Sequence, residues 1–141
     1  MSNALNISDL NIVATACTPA VNFSFGRHHL MLSGESYPEN AAAFYRPIVA
    51  SLQDFLDQLS ESGLNDADLP PLEIHVSLTY FNSSSTKMLF SLFSVLNQAA
   101  ERGLSIALHW YYHQEDDITG EFGEELHIDF PALAFHPHAL E

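Results

Sequence analysis

Basic residues are the scarcest chemistry in this chain: four Lys and Arg stand against 18 Asp and Glu, a formal net charge of −14 over 141 residues. Nucleic acids and anionic membrane surfaces are bound through Lys and Arg that displace counterions, so neither is expected as a partner. The acidic balance fits either plain solubility or a basic patch on a protein partner, and charge alone does not separate the two. Cysteine is nearly absent as well. Cys17 stands alone, which excludes an intramolecular disulfide and a cysteine-rich zinc site. No basic residue lies near it in sequence to activate the thiol, so it reads as a small packing residue. Apolar runs stay short of the roughly 20 residues that cross a bilayer. The stretch from Met1 to Leu10 is polar and lacks the basic start of a signal peptide. The expectation is a cytoplasmic protein with a loosely ordered segment at 1–10.

What is present is core material: 47% hydrophobic residues, with ten Phe. A single domain over 1–141 buries roughly two-thirds of its unfolded surface. Val21 to Phe25 alternates apolar and polar, Gly26-Arg27-His28 turns, and His29 to Ser33 returns as the second strand of a hairpin. Gly34 to Pro38 breaks the pattern. Apolar residues then recur at helical spacing from Glu39 to Ser60, with a kink or break expected near Tyr45-Arg46 because Pro47 removes a bond to residue 43. Glu61 to Pro71 reads as a loop. Leu72 to Phe81 is a strand, Met88 to Arg102 a helix stopped by Gly103, and Leu104 to His113 a strand. Asp117 to Asp129 is a short acidic helix despite Gly120 and Gly123, and Ala132 to Phe135 a last short strand. The order β-β-α-β-α-β-α-β predicts one α/β domain with a mixed sheet, an antiparallel hairpin leading into right-handed parallel crossovers.

Between the strand and the helix lies Asn82-Ser83-Ser84-Ser85-Thr86-Lys87, four hydroxyls on one helix N-terminus. One hydroxyl suffices as a cap, so the surplus suggests a modification site. A phosphate there would meet unpaired backbone N–H groups and the positive end of the helix dipole, with Lys87 close by. It would also bring about −1.5 to −2 charges against any partner surface. Capping with spare hydroxyls and a phosphorylation switch carry similar weight on residue chemistry alone.

Other constellations are weaker. A Ser nucleophile would need a positioned base. His75, His109 and His113 lie on strands, but there is no Gly-x-Ser-x-Gly elbow and no glycine among residues 82–87 to open an oxyanion hole. Eight histidines invite a metal. His109 and His113 share a strand face, as do His136 and His138, yet no His-Glu-x-x-His or paired Cys-His spacing occurs. Ordinary surface or packing roles are expected for the histidines, and solvent exposure for His28-His29 in its turn. The acidic segment 115–129 lacks EF-hand spacing and reads as a solvated helix face with Asp116 or Asp117 as N-cap. An acidic docking surface is its rival. In Gly34 to Tyr45, Glu39 or Asn40 can start the helix, and Tyr37 and Tyr45 belong equally well to core or interface.

Several strings together carry a family resemblance: Gly34 to Ala41 (GESYPENA), Tyr80 to Lys87 (YFNSSSTK), His109-Trp110-Tyr111, and Glu121 to Glu125 (EFGEE). The chain resembles the SiaC-type bacterial regulatory phosphoproteins from Thr18-Pro19 to Phe135. More distantly its element order is similar to the STAS domain of anti-anti-sigma factors. The resemblance implies a non-catalytic partner-switching protein of STAS-like fold, without a cofactor. It implies phosphorylation by an anti-sigma-like Ser/Thr kinase and reversal by a PP2C-type phosphatase. The unphosphorylated form would bind and activate a diguanylate cyclase, raising cyclic di-GMP and favouring biofilm growth. The family's phosphoacceptor follows the Asn of the strand-to-helix turn, which is Ser83 here, with Ser84 as second choice. Family members carry Thr there as well, so Ser leaves the chemistry intact. Asn82, Ser85, Thr86 and Lys87 form its surroundings, and Glu35, Tyr37, Pro38, Glu39, Asn40 and Tyr45 the expected partner surface. An anti-sigma factor antagonist and a small Ser-dependent hydrolase are the alternatives.

Overall fold

The computed structural model describes residues 7–61 and 70–141. The elements along these residues are β1 (Leu10–Ile12), β2 (Ala20–Ser24), β3 (His29–Ser36), α1 (Ala41–Glu61), β4 (Leu72–Phe81), α2 (Ser83–Glu101), β5 (Ile106–His113), α3 (Asp117–Asp129) and β6 (Ala134–Leu140). The strands form one six-stranded sheet in sequence order. β1, β2 and β3 pair antiparallel, and β3 through β6 pair parallel. The expected mixed α/β class is therefore present, with one strand more than the periodicity predicts.

Each parallel connection steps to the next strand in the same direction, and right-handed crossovers then place every helix on one face. Ring contacts bear this out: Phe55 of α1 stacks on Phe25 at 4.8 Å, Phe93 of α2 meets Trp110 at 6.5 Å, and Phe122 of α3 stacks on Trp110 at 5.4 Å. Leu72, Ile74, Val76 and Leu78 of β4 and Ile106, Leu108 and Trp110 of β5 are buried beneath the helices. The intervening positions, among them Glu73, His75, Ala107 and His109, point to the other face and are half-buried.

The departures have local causes. β1 is a three-residue edge strand, too short to show periodicity. β3 runs on to Ser36 because Gly34, at φ +119, carries the chain through the register shift that interrupts its pairing with β4. α1 is not broken at Pro47. The ring is exposed and lies only two turns from the helix start, so one missing bond is offset by the apolar face from Ile48 to Leu59. β6 extends to Leu140, a mostly exposed strand at the sheet edge where Pro137 is tolerated. His28 is buried rather than exposed. Its backbone adopts φ 56, its Nδ1 lies 3.0 Å from the Pro70 carbonyl, and its ring packs on Phe55 at 5.7 Å. Of the loop expected at 61–71, residues 62–69 lie outside the described residues, as do residues 1–6 of the N-terminal segment.

Two glycines looked like liabilities in α3. A Cβ on Gly123 would stand 2.5 Å from Trp110 Cδ1, so this glycine lets the helix lie directly on the indole. Trp110 Nε1 in turn donates to the Thr119 carbonyl at 3.0 Å. Gly123→Ala is expected to destabilise the fold by about 1–3 kcal/mol through overpacking, despite the better helix propensity of Ala. Gly120→Ala, whose Cβ would meet only the Tyr112 ring at 3.2 Å, is the milder companion. Thermal melts that rank the two in the opposite order would contradict this packing.

Candidate functional site

β4 delivers the chain to the turn with a change of phase. Gly34 pairs with Leu78, but Glu35 pairs with Tyr80, so Thr79 is the extra residue. The slip turns Phe81 onto the helix side, where it meets Phe122 at 4.9 Å and Trp110 at 6.1 Å. Next, the Asn82 N–H donates to the Ser36 carbonyl at 3.1 Å, holding the turn against the end of β3.

The helix begins five residues before its apolar pattern does, at Ser83, and its cap is not a hydroxyl. Asn82, extended at φ −91 and ψ 176, accepts the Ser85 N–H on its side-chain oxygen at 2.9 Å. Its backbone carbonyl accepts the Thr86 N–H at 2.9 Å and the Thr86 hydroxyl at 3.1 Å. Ser85 is fully buried. Its Oγ accepts from Ser36 Oγ at 2.8 Å, and Ser36 Oγ lies 2.6 Å from the Tyr45 phenol. With the Ser36 proton committed to Ser85, the phenol is the donor of that second bond. The hydroxyls are thus sorted. Ser85 and Thr86 are consumed by structure, while Ser83 and Ser84 face solvent at the helix N-terminus.

The same chain of hydroxyls corrects the expected partner surface. Tyr45 is fully buried in the core and Pro38 is buried too, so neither presents itself to a partner. Burial pushes the Tyr45 phenol up from 10.0 to about 12, outweighing the opposing effect of its bond to Ser36. A raised folded-state value means that the stabilisation is complete below the unfolded pKa and is lost as pH rises through the folded one. Folding stability is expected to fall by about 2–3 kcal/mol between pH 10 and pH 12 from this group. Tyr45→Phe, compared by denaturant titration across that window, should lack this part of the fall.

Of the remaining expected residues, Glu39, Asn40, Ser84 and Lys87 meet, while Ser83, Glu35 and Tyr37 lie outside their cleft. Glu39, Asn40, Ala41 and Ala42 at the start of α1 line a shallow cleft of about 250 Å³ with Ser84, Lys87 and Met88 at the start of α2. Asn40 Oδ1 accepts the Ala43 N–H at 3.0 Å, capping α1. Glu35 and Tyr37 are exposed, and Tyr37 packs edge-on against Tyr80 at 5.7 Å. Sequence reasoning missed Tyr80 and Ile118, which are 52% and 79% exposed and line one groove beside the turn. The alternation of β4 concealed Tyr80, since only the Thr79 slip turns it outward. Ile118 stands four residues before Phe122 and eight before Leu126, so helical spacing groups it with the packed face of α3 and hides its exposure. Asp116 caps α3, accepting the Thr119 N–H at 3.0 Å and the Thr119 hydroxyl at 2.7 Å, and these bonds hold its carboxyl below the usual range.

The histidines gather elsewhere. His75, His109, His136 and His138 occupy the helix-free face of the sheet. His75 Nδ1 lies 2.9 Å from the Tyr111 phenol and His109 Nδ1 lies 2.9 Å from His138 Nε2. Ser83 and Ser84 open α2, whereas these four histidines lie on the helix-free face of the sheet.

Comparison with known proteins agrees with this architecture. Residues 12–140 match the family described as SiaC family regulatory phosphoprotein. Crystallographic apo-SiaC from Pseudomonas aeruginosa superposes with a TM-score of 0.79 at 30% identity, over 94% of this chain and 100% of that one. A second structure, diguanylate cyclase SiaD in complex with its activator SiaC from Pseudomonas aeruginosa, superposes with a TM-score of 0.79 at 29% identity, over 94% and 100% of the two chains. An uncharacterised protein of Pseudomonas aeruginosa strain UCBPP-PA14 is 29% identical over 87% of this chain and 90% of its own length. With β2 through β6 and all three helices inside the matched region, the chain belongs to the SiaC family of regulatory phosphoproteins.

Proposed function

We propose that this chain is a non-catalytic partner-switching regulator whose unphosphorylated form binds and activates a diguanylate cyclase. Phosphorylation of Ser83 by an anti-sigma-like Ser/Thr kinase weakens that complex, and a PP2C-type phosphatase restores it. The observation that carries the reading is the sorting of the hydroxyls: Ser83 and Ser84 face solvent at a helix N-terminus whose cap and buried contacts are supplied by other residues. A phosphate on Ser83 can therefore be added without uncapping α2 or opening the core. The cyclase is the partner because a SiaC of the same fold is the activator of a diguanylate cyclase in the complex with SiaD.

The partner surface in this reading comprises Glu35, Tyr37, Glu39, Asn40 and Lys87, joined by Tyr80 and Ile118. Phosphate on this surface acts by differential binding and leaves the fold as it is. The test is a pull-down from the native organism with and without phosphatase treatment, followed by mass spectrometry of the modified peptide. The expected result is a cyclase recovered with the phosphatase-treated protein, and phosphate on Ser83. Modification confined to residues outside Ser83 and Ser84 overturns the site assignment, and recovery of a sigma-controlling kinase with no cyclase overturns the output.

A further inference from the structure

The helix-free face of the sheet carries a second arrangement, unconnected with the phosphorylated turn. Glu73 and His75 are two residues apart on β4 and so share a face, and His109 sits directly opposite His75 on β5. His109 Nε2 lies 3.1 Å and His75 Nε2 3.7 Å from the same Glu73 oxygen. One ligating atom from each of the three residues can be drawn within 4.8 Å of the others. Tetrahedral coordination at about 2.0–2.1 Å sets neighbouring ligand atoms roughly 3.3–3.4 Å apart, which is the scale of the two measured separations. The other ring nitrogens are already held, His75 Nδ1 by the Tyr111 phenol and His109 Nδ1 by His138 Nε2. This outer layer of contacts is what orients metal-binding imidazoles, and the ion takes the place of the proton that His109 Nε2 now donates to Glu73.

We propose that Glu73, His75 and His109 form a binding site for one borderline-soft divalent cation of the Zn²⁺ type, with solvent at the fourth position. The donor set of two imidazoles and one carboxylate suits Zn²⁺, Co²⁺, Ni²⁺ or Cu²⁺ and not Mg²⁺ or Ca²⁺, which take oxygen ligands. The two rings stack at 4.4 Å with their planes 7° from parallel, so binding turns them toward one another. Both are only half-buried, which leaves room for that movement. The net charge of −14 raises the local concentration of any cation. Single-sequence reasoning passed over the site because its ligands lie on two strands separated by α2.

Titration of the full chain with Zn²⁺ by calorimetry, alongside long-range ¹H–¹⁵N spectra of the imidazoles, tests the proposal. One Zn²⁺ per chain is expected, with the Nε2 signals of His75 and His109 shifting first and Mg²⁺ producing neither effect. Glu73→Gln and His75→Gln should each weaken binding by more than about tenfold, and Tyr111→Phe by about tenfold through the loosened His75 ring. His127→Gln, on α3 across the sheet, should bind as the unaltered protein does. The spectra of the unaltered chain keep the test decisive if a variant fails to fold. Absence of binding below millimolar Zn²⁺, shifts confined to His28, His113 or His127, or equal affinity in Glu73→Gln and His75→Gln and the unaltered chain overturns the site.

Discussion

Ser83→Asp is expected to weaken the proposed complex with a diguanylate cyclase by at least about thirtyfold, roughly 2 kcal/mol, because a charge pressed into a partner surface loses its water without gaining a partner. The phosphorylated protein carries more charge and more bulk, and should lose more. Ser83→Ala is the informative companion. Since Asn82 supplies the cap and Ser85 and Thr86 make the buried and backbone contacts, removing the Ser83 hydroxyl should change stability by no more than about 0.5 kcal/mol. It should bind the cyclase as the unmodified protein does and remain insensitive to kinase and ATP. Binding measured by calorimetry or surface capture, with melts run in parallel, separates a switch from a structural residue. Equal affinity for Ser83→Asp, Ser83→Ala and the unaltered protein would rule out a charge-based switch at this position.

A larger effect on folding is expected from Ser36→Ala, although Ser36 lies far from the turn in sequence. Its hydroxyl is the middle of the chain from Tyr45 through Ser36 to Ser85, and all three side chains are fully buried. Removing it strands a phenol and a hydroxyl without water, each costing about 1–3 kcal/mol. A total of about 2–6 kcal/mol follows, read as a shift in the urea midpoint with an unchanged slope. Ser85→Ala, which leaves the Tyr45–Ser36 bond intact, should cost less than Ser36→Ala. If both variants melt within about 0.5 kcal/mol of the unaltered protein, these groups are not held as a dry network. The pair also connects fold to function. Ser36 receives the Asn82 N–H on its carbonyl, so loosening it should disturb the presentation of Ser83 even when the chain remains folded.

Most of the architecture was legible because it rests on local repetition. Alternation marked β2, β3, β4 and β5, helical spacing marked α1, and Gly103, at φ +114 after α2, ended the helix as its freedom from a Cβ suggests. What escaped was short, edge-bound or polar. β1 is three residues long, and β6 alternates histidines against proline with little burial. The first turn of α2 holds no apolar residue, so its helical state rests on the Asn82 cap and the buried Ser85, neither of which leaves a periodic mark.

The sequence by itself determined the order of elements from β2 onward, the α/β class and the place where a strand passes into a hydroxyl-rich helix start, because each depends on neighbours along the chain. Only the tertiary structure decided which hydroxyls are available. Ser85 is withdrawn by a bond to Ser36, 49 residues away, and Tyr45 is withdrawn with it. Spatial proximity likewise made a cluster of Glu73, His75 and His109, which no spacing in the chain discloses. Burial and long-range hydrogen bonding are properties of the packed sheet, and they distinguish Ser83 and Ser84 from residues of the same chemistry beside them.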